Sequence, residues 1–405
     1  MTEARIDVNQ FDDIRPYNDA ELREAIKRLV QEPLLIRAMR WVYPGLSKAS
    51  IVKMFESVQT VQQFQEEIGA PAMKVITQMT TSGLSFSNIE NIQRNTPYLF
   101  ISNHRDIILD SALLNVSLME RGYKTTEIAI GDNLLSTPLV RDLVRSNKNV
   151  IVNRDVNAKE IYHYSLRLSN YIKHLITEKK TSLWIAQREG RSKDGDDRTS
   201  TGLLKMFAMS ATQTLESALH ELHIVPMCVS YEYDPCDLLK THELMHKRIS
   251  GSYTKQKGED FLSMLTGLTG HKGRVNIAVG RELTDALDAM RNVQNKNEKF
   301  RMLGEAIDRE MYRIYKLWPT NYIACDLLHG TKEYREHYTN IQRIAFLNYV
   351  RGRVISLSLG RSKTKLPKEN FAKTAREIML EMYANPVLNK KNITQSIVTD
   401  TLAHP

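Results

Sequence analysis

The stretch Phe100-Ile101-Ser102-Asn103-His104-Arg105-Asp106-Ile107-Ile108-Leu109-Asp110 decides how this chain is read. An apolar run of strand length, from Tyr98 to Ile101, leads into it, and Ser102-Asn103 breaks the run just before a histidine. Two aspartates follow, and beyond them the apolar residues from Ser111 to Met119 read as a helix. Strand, polar turn and helix form the repeating unit of an α/β fold, in which ligands sit at the carboxyl ends of strands. A histidine at that turn, with a carboxylate about one helical turn further on, has the form of a general base and its orienting partner. The same residues also suit a structural histidine–aspartate hydrogen bond, so the rest of the chain has to decide.

Outward from this stretch the pattern is alternation. Strands are expected at Tyr98–Ser102, Glu127–Ile130, Val150–Val152, Ser182–Ala186, Ile224–Tyr231 and Arg274–Val279. Helices are expected between them, notably over Ala158–Thr177 and Gly202–His220. This predicts an α/β domain over 96–284 with a mostly parallel sheet flanked by helices. The regions on either side read as helical, 1–95 and 285–405. In the first, Asn18-Asp19 has the form of an N-cap for a helix reaching Val30, and Val58 to Thr80 reads as one long helix. In the last, helices are expected over Glu298–Leu317 (with Pro319 as its stop), Gln342–Leu359, Lys368–Ala384 and Thr394–Leu402.

Composition narrows the function classes. A 42% hydrophobic and 25% charged chain of 405 residues supports a sizeable core and argues against wholesale disorder. The three cysteines, Cys228, Cys236 and Cys325, have neither disulfide-framework nor zinc-like spacing, which fits a reducing compartment and no metal site. No signal peptide is legible at Met1-Thr2-Glu3-Ala4, and no window of about 18 apolar residues predicts a membrane span. A net charge of +9 suits phosphate-bearing partners as well as a merely basic surface. The segment Pro33 to Tyr43 mixes Arg37 and Arg40 with Leu, Ile, Trp41 and Tyr43; it fits a helix packed on the core and also one lying on a membrane. Basic stretches interleaved with aromatic residues are missing, so no nucleic-acid partner is expected.

Three further segments carry chemistry. Asn149 to Asp155 is a strand ending in Arg154, a residue suited to a two-pronged grip on phosphate. Leu183 to Gly195 is a strand running into a loop where Arg188, Arg191 and Lys193 surround Glu189, with Gly190 allowing a tight turn. Ile224 to Glu232 is a buried-looking strand containing Val225-Pro226, and its proline restricts it to a strand start, a bulge or an edge. The tripeptide His104-Arg105-Asp106 matches a kinase catalytic loop only superficially, because Ser111 stands where that loop needs asparagine.

In this order and spacing, the four segments resemble the sequence blocks of the glycerolipid acyltransferases, the glycerol-3-phosphate and 1-acylglycerol-3-phosphate acyltransferases. Asn103-His104 with an aspartate resembles the family's N-H-x4-D block, Arg154 ends the second, Glu189-Gly190-Arg191-Ser192 resembles E-G-(T/G)-R-S, and Val225-Pro226 the fourth. The run Glu127 to Asp132 with Pro138 is similar to the stretch between the first two blocks. Two departures stand out. Leu109 occupies the x4 position, leaving Asp106 or Asp110 as the carboxylate, of which Asp110 is the better match. The third block is one residue short, and Arg188 precedes it in place of Pro or Val.

The resemblance implies transfer of a fatty acyl group from an acyl thioester, acyl-CoA or acyl-ACP, to glycerol 3-phosphate or lysophosphatidate. It implies His104 as base, Asp110 or Asp106 as its partner, and Asn103, Arg154, Glu189, Gly190, Arg191 and Ser192 around the substrate. It also implies no cofactor beyond the thioester co-substrate, no metal, and a cytoplasmic enzyme held peripherally on an anionic membrane surface. The alternative class is a lipid-binding protein that keeps the fold without the chemistry.

Overall fold

The computed structural model of the chain describes residues 8–154, 157–359 and 368–403. The sheet has seven strands: β1 (Gly83–Ser87), β2 (Leu99–Ser102), β3 (Glu127–Gly131), β4 (Asn149–Val152), β5 (Leu183–Ala186), β6 (Ile224–Tyr231) and β7 (Arg274–Val279). Their order is β1-β7-β6-β2-β5-β3-β4, and every pairing is parallel except β6 with β7. The histidine-bearing strand β2 is thus central, between β6 and β5. Its four residues are all buried because both faces are covered: Leu99 and Ile101 point into one core cluster and Phe100 into the other. Pro226 is tolerated in β6 because its carbonyl accepts from Gly280 N–H (2.7 Å), one residue beyond β7, so the missing N–H falls where the ladder has ended.

Helices α1 (Asp19–Leu29), α2 (Pro33–Val42), α3 (Lys48–Glu56), α4 (Val61–Gln63) and α5 (Ala70–Thr80) precede the sheet. Between the strands lie α6 (Leu109–Met119), α7 (Pro138–Ser146), α8 (Ala158–Thr177), α9 (Thr201–Phe207), α10 (Leu215–His220), α11 (Asp237–Ser250) and α12 (Glu259–Thr269). After it come α13 (Thr284–Ala289), α14 (Lys296–Ile314), α15 (Pro319–His329), α16 (Asn340–Leu359) and α17 (Lys368–Ala403).

The mostly parallel α/β sheet is as expected, and its carboxyl edge gathers the motif-bearing loops. Several boundaries differ. The sheet begins at Gly83, inside the region read as helical: β1 alternates Leu84 and Phe86 with serines and pairs with β7, a partner 191 positions away. The flanks are not separate bodies, since Phe11 and Ile14 from one and Phe300, Leu303, Ile307 and Met311 from the other share one core cluster with β2, β4 and β5. The helix expected over Val58–Thr80 starts only at Val61, capped by Thr60, and opens into a π-helical stretch at Phe64–Gly69. Gly202–His220 divides into α9 and α10, because Ser210 bonds Ser169 and Thr214 caps a new helix. Pro319 starts α15, a position where its absent N–H is no loss. The last two expected helices are one, with Pro386 inside it.

Candidate active site

The turn after β2 is built around one carboxylate. Asp110, in the first turn of α6, is fully buried, and its Oδ2 accepts from the Arg105 N–H (2.6 Å) and the Asp106 N–H (2.9 Å). The same oxygen lies 3.0 Å from His104 Nδ1, and Oδ1 accepts from the Tyr231 hydroxyl (2.8 Å). Four donors around an acceptor-only group place the proton on His104 Nδ1 and leave the lone pair on Nε2. Among the described residues nothing bonds Nε2, and the ring rests edge-on against Trp184 with centroids 5.6 Å apart. The chain folds this way locally because the histidine is in the turn and the aspartate on the helix, so the six-residue separation closes without a continuous helix.

Asp106 has a different task. Its Oδ1 accepts from the Ile108 N–H (2.9 Å) and the Leu109 N–H (2.8 Å), which satisfies the open start of α6. Burial pushes its carboxyl above the usual range, and the charge of Asp110 adds to that. Its other oxygen, Oδ2, is buried without a partner and faces α12, where a Cβ on Gly267 would come within 2.0 Å of it. Of the two aspartates left open by the sequence, only Asp110 reaches the histidine.

The loop after β5 closes on the same turn. Ser192 N–H donates to the His104 carbonyl (2.7 Å), and Arg191 is buried beside Asp106 with Nη1 unpartnered. Ser192 Oγ, Trp184 Nε1 and Gln187 Nε2 are also buried without partners, so unmet hydrogen-bonding capacity concentrates around the histidine. Gly190 has φ +72° and open space around it, as the tight turn requires. Lys193 turns away to Glu243 of α11 (2.6 Å), and burial, reinforced by Arg191, lowers its pKa to about 8. At Glu243 burial works the other way, but hydrogen bonds from Lys193 and Lys247 outweigh it and hold the carboxyl below its usual range.

Arg154 approaches from the far side. It follows β4, its N–H bonds Asp132 Oδ1 (3.2 Å), and its guanidinium lies across the end of β3. A Cβ on Gly131 would come 2.7 Å from its Nε, so the missing side chain at the end of β3 is what lets the arginine cross toward β5. There it lies 3.9 Å from Glu189, an exposed carboxylate at the limit of an ion pair and screened by water.

One expected substrate residue is placed elsewhere. Asn103 is buried, donates to the Val229 carbonyl (3.1 Å) and accepts from the Val229 N–H (2.8 Å), so it ties β2 to β6 instead of facing a ligand. Its amide is shared between the Val229 backbone and, at 3.4 Å, the Asp197 carboxylate. Conversely, Tyr231, Trp184, Gly131 and Gly267 belong to the site and carry no motif of their own; each acts through a contact between strands or helices distant in sequence. Among the described residues no group of three or more His, Cys, Asp or Glu side chains could hold a metal ion.

A His–Asp pair and two arginine-bearing loops thus stand at the carboxyl edge of a mostly parallel sheet. Residues 83–230 match the model of the acyltransferase family; most of the two helical flanks lies outside the match. A crystal structure of the 1-acyl-sn-glycerophosphate (LPA) acyltransferase PlsC from Thermotoga maritima is similar at 12% identity and a TM-score of 0.33, over 73% of this chain and 97% of that one. No curated protein matches the chain.

Proposed function

We propose that the protein moves a fatty acyl group from an acyl thioester, acyl-CoA or acyl-ACP, to a hydroxyl of glycerol 3-phosphate or 1-acylglycerol 3-phosphate. The observation that carries this reading is the His104–Asp110 pair, with Nε2 open, Arg191 on the adjoining loop beside Asp106, and Arg154 reaching Glu189 of that same loop. A thioester is already activated, so no protein nucleophile is needed. His104 Nε2 takes the proton of the acceptor hydroxyl as its oxygen attacks the thioester carbonyl, and the thiolate leaves. Asp110 holds the tautomer and stabilises the imidazolium. Arg191 and Arg154 hold the acceptor phosphate, converting binding energy into orientation of the hydroxyl. The glycine turn at Gly190 brings backbone N–H groups toward the same anion.

Membrane association is part of the proposal. No helix among the described residues is long and apolar enough to cross a bilayer. The outer face of α2 exposes Leu34, Arg37, Arg40 and Trp41, an apolar and cationic mixture suited to an anionic surface, while Tyr43 is half-buried against the core. The test is release of free thiol from palmitoyl-CoA and palmitoyl-ACP with each acceptor in turn. Acceptor-dependent release from at least one pair is expected, and none from any pair would overturn the reading.

A further inference from the structure

The loop that carries Arg191 is held from outside the acyltransferase domain. Asn385 Nδ2, on α17, donates to the Asp194 carbonyl (2.7 Å), and Asn389 Nδ2 donates to Asp196 Oδ1 (3.0 Å) and the Tyr312 hydroxyl (2.9 Å). Tyr312 in turn donates to the Asp197 carbonyl. Gly195, at φ +80°, lies so close to α17 that a Cβ there would come 2.3 Å from the Met382 carbonyl. That carbonyl lies four residues before Pro386, which has no N–H to cover it, so the proline opens the helix where the loop docks.

The loop's other side reaches the histidine. Arg105, next to His104 and buried, donates from Nη2 to Asp197 Oδ2 (2.6 Å) and to the Gly195 carbonyl (3.4 Å). Asn103, on the other side of His104, also points its amide at Asp197 Oδ2 (3.4 Å). One unbroken set of hydrogen bonds therefore runs from α17 through residues 194–197 to both neighbours of the catalytic histidine. Arg191 directly precedes the first anchor, the Ser192 N–H bonded to the His104 carbonyl, and stands three residues before the first α17 contact, at Asp194.

We infer that α17 is the latch of the anion-binding loop and that Asn389 is a positioning residue for the acceptor phosphate, acting through Asp196 and Asp197 on Arg191. The inference rests on the proposed reading of Arg191. It gives the C-terminal helical region a role in the chemistry and makes that role specific: loss of the latch weakens the acceptor site and leaves the thioester site alone.

The experiment compares wild type, Asn389→Ala, Asn389→Asp and Val387→Ala. The aspartate keeps the shape of the asparagine but cannot donate, while Val387, on the same helix, is buried in the hydrophobic cluster that α17 forms with α15 and α16. Both Asn389 variants are expected to raise the acceptor KM at least fivefold with the thioester KM unchanged. They are also expected to speed amide exchange over residues 190–197 about tenfold. Val387→Ala is expected to lower the Tm as much or more and to move neither quantity. Unchanged acceptor KM and exchange in the Asn389 variants would overturn the latch, and so would an equal shift in Val387→Ala. A wild type without turnover overturns the acyl-transfer reading instead, and the exchange comparison then decides the latch alone.

Discussion

The turn at residues 102–110 and the loop at 187–199 meet at the same histidine but are built in opposite ways. The carboxylate at the centre of the turn is satisfied locally: every donor that converges on Asp110, apart from the Tyr231 hydroxyl, comes from within six residues of it. The loop is assembled from afar, by α11 at Lys193, by α14 at Tyr312 and by α17 at Asp194 and Asp196, and it leaves Arg191 and Ser192 with unmet polar atoms. A base needs a fixed tautomer at all times, which a carboxylate saturated by its own turn supplies. An anion site needs capacity left over for a ligand, which costs stability and so has to be held by surrounding structure.

The sharpest break of this contrast is His104→Ala, which should remove about 10²–10⁴-fold in kcat while leaving the fold and thioester binding intact. A variant that keeps a tenth of the wild-type rate would end the general-base role. Next is the pair of asparagine substitutions inside the turn. Asp110→Asn should cost at least about a hundredfold, given an effect of about 10⁴ for the corresponding change in a Ser-His-Asp triad. Asp106→Asn should stay within about threefold, since asparagine caps a helix as well as aspartate does. The reverse ranking in initial rates would transfer the partner role to Asp106.

On the loop side the expected effects fall on binding. Arg191→Ala and Arg154→Ala should each raise the acceptor KM about tenfold or more, from loss of a charge-assisted contact of roughly 1.5–3 kcal/mol. Gly131→Ala should give a smaller rise, because the new methyl displaces the Arg154 guanidinium without removing it. If only the thioester KM moves in any of the three, the phosphate assignment is wrong.

The smallest effect probes the cations buried under α11. Lys193 has a pKa of about 8 against 10.5 when exposed. Between those values the unfolded chain holds the proton and the folded one does not, so stability rises with pH there. Relative to Lys193→Met, wild type should gain about 2 kcal/mol in denaturant unfolding between pH 8 and pH 10. A flat difference would mean that Lys193 is not the strained cation that the loop's burial implies.

The contrast also explains what the sequence made readable. The His104–Asp110 pair, Arg154 and the Glu189–Ser192 loop stand on strand–turn–helix units whose pattern is local, so their place at one edge of the sheet followed from alternation alone. Helices α11 and α12, between β6 and β7, went unread although they cover the site, because their contacts to Asp106 and Lys193 are made by Gly267 and Glu243, residues without a motif. Strand β1 was missed for a related reason: five residues of alternation are a faint signal, and the partner that makes them a strand lies at the other end of the domain. Asn103 misled in the other direction. A motif asparagine beside a motif histidine reads as a ligand contact, yet it completes a hydrogen-bonded bridge to Val229.

The close approach of Gly195 to the Met382 carbonyl has a consequence for the timing of synthesis. A chain emerges from the ribosome N-terminal end first, at about 5–20 residues per second. By the time Val279 has emerged, all seven strands and all four motif segments are outside the ribosome, but the carbonyl that receives Gly195 is still about a hundred residues from emerging. For an interval on the order of ten seconds the nascent chain therefore carries the residues of the His104–Asp110 turn beside a loop that α17 has not yet reached. The contacts that hold residues 194–196 can therefore form only after α17 has emerged, later than the sheet they serve.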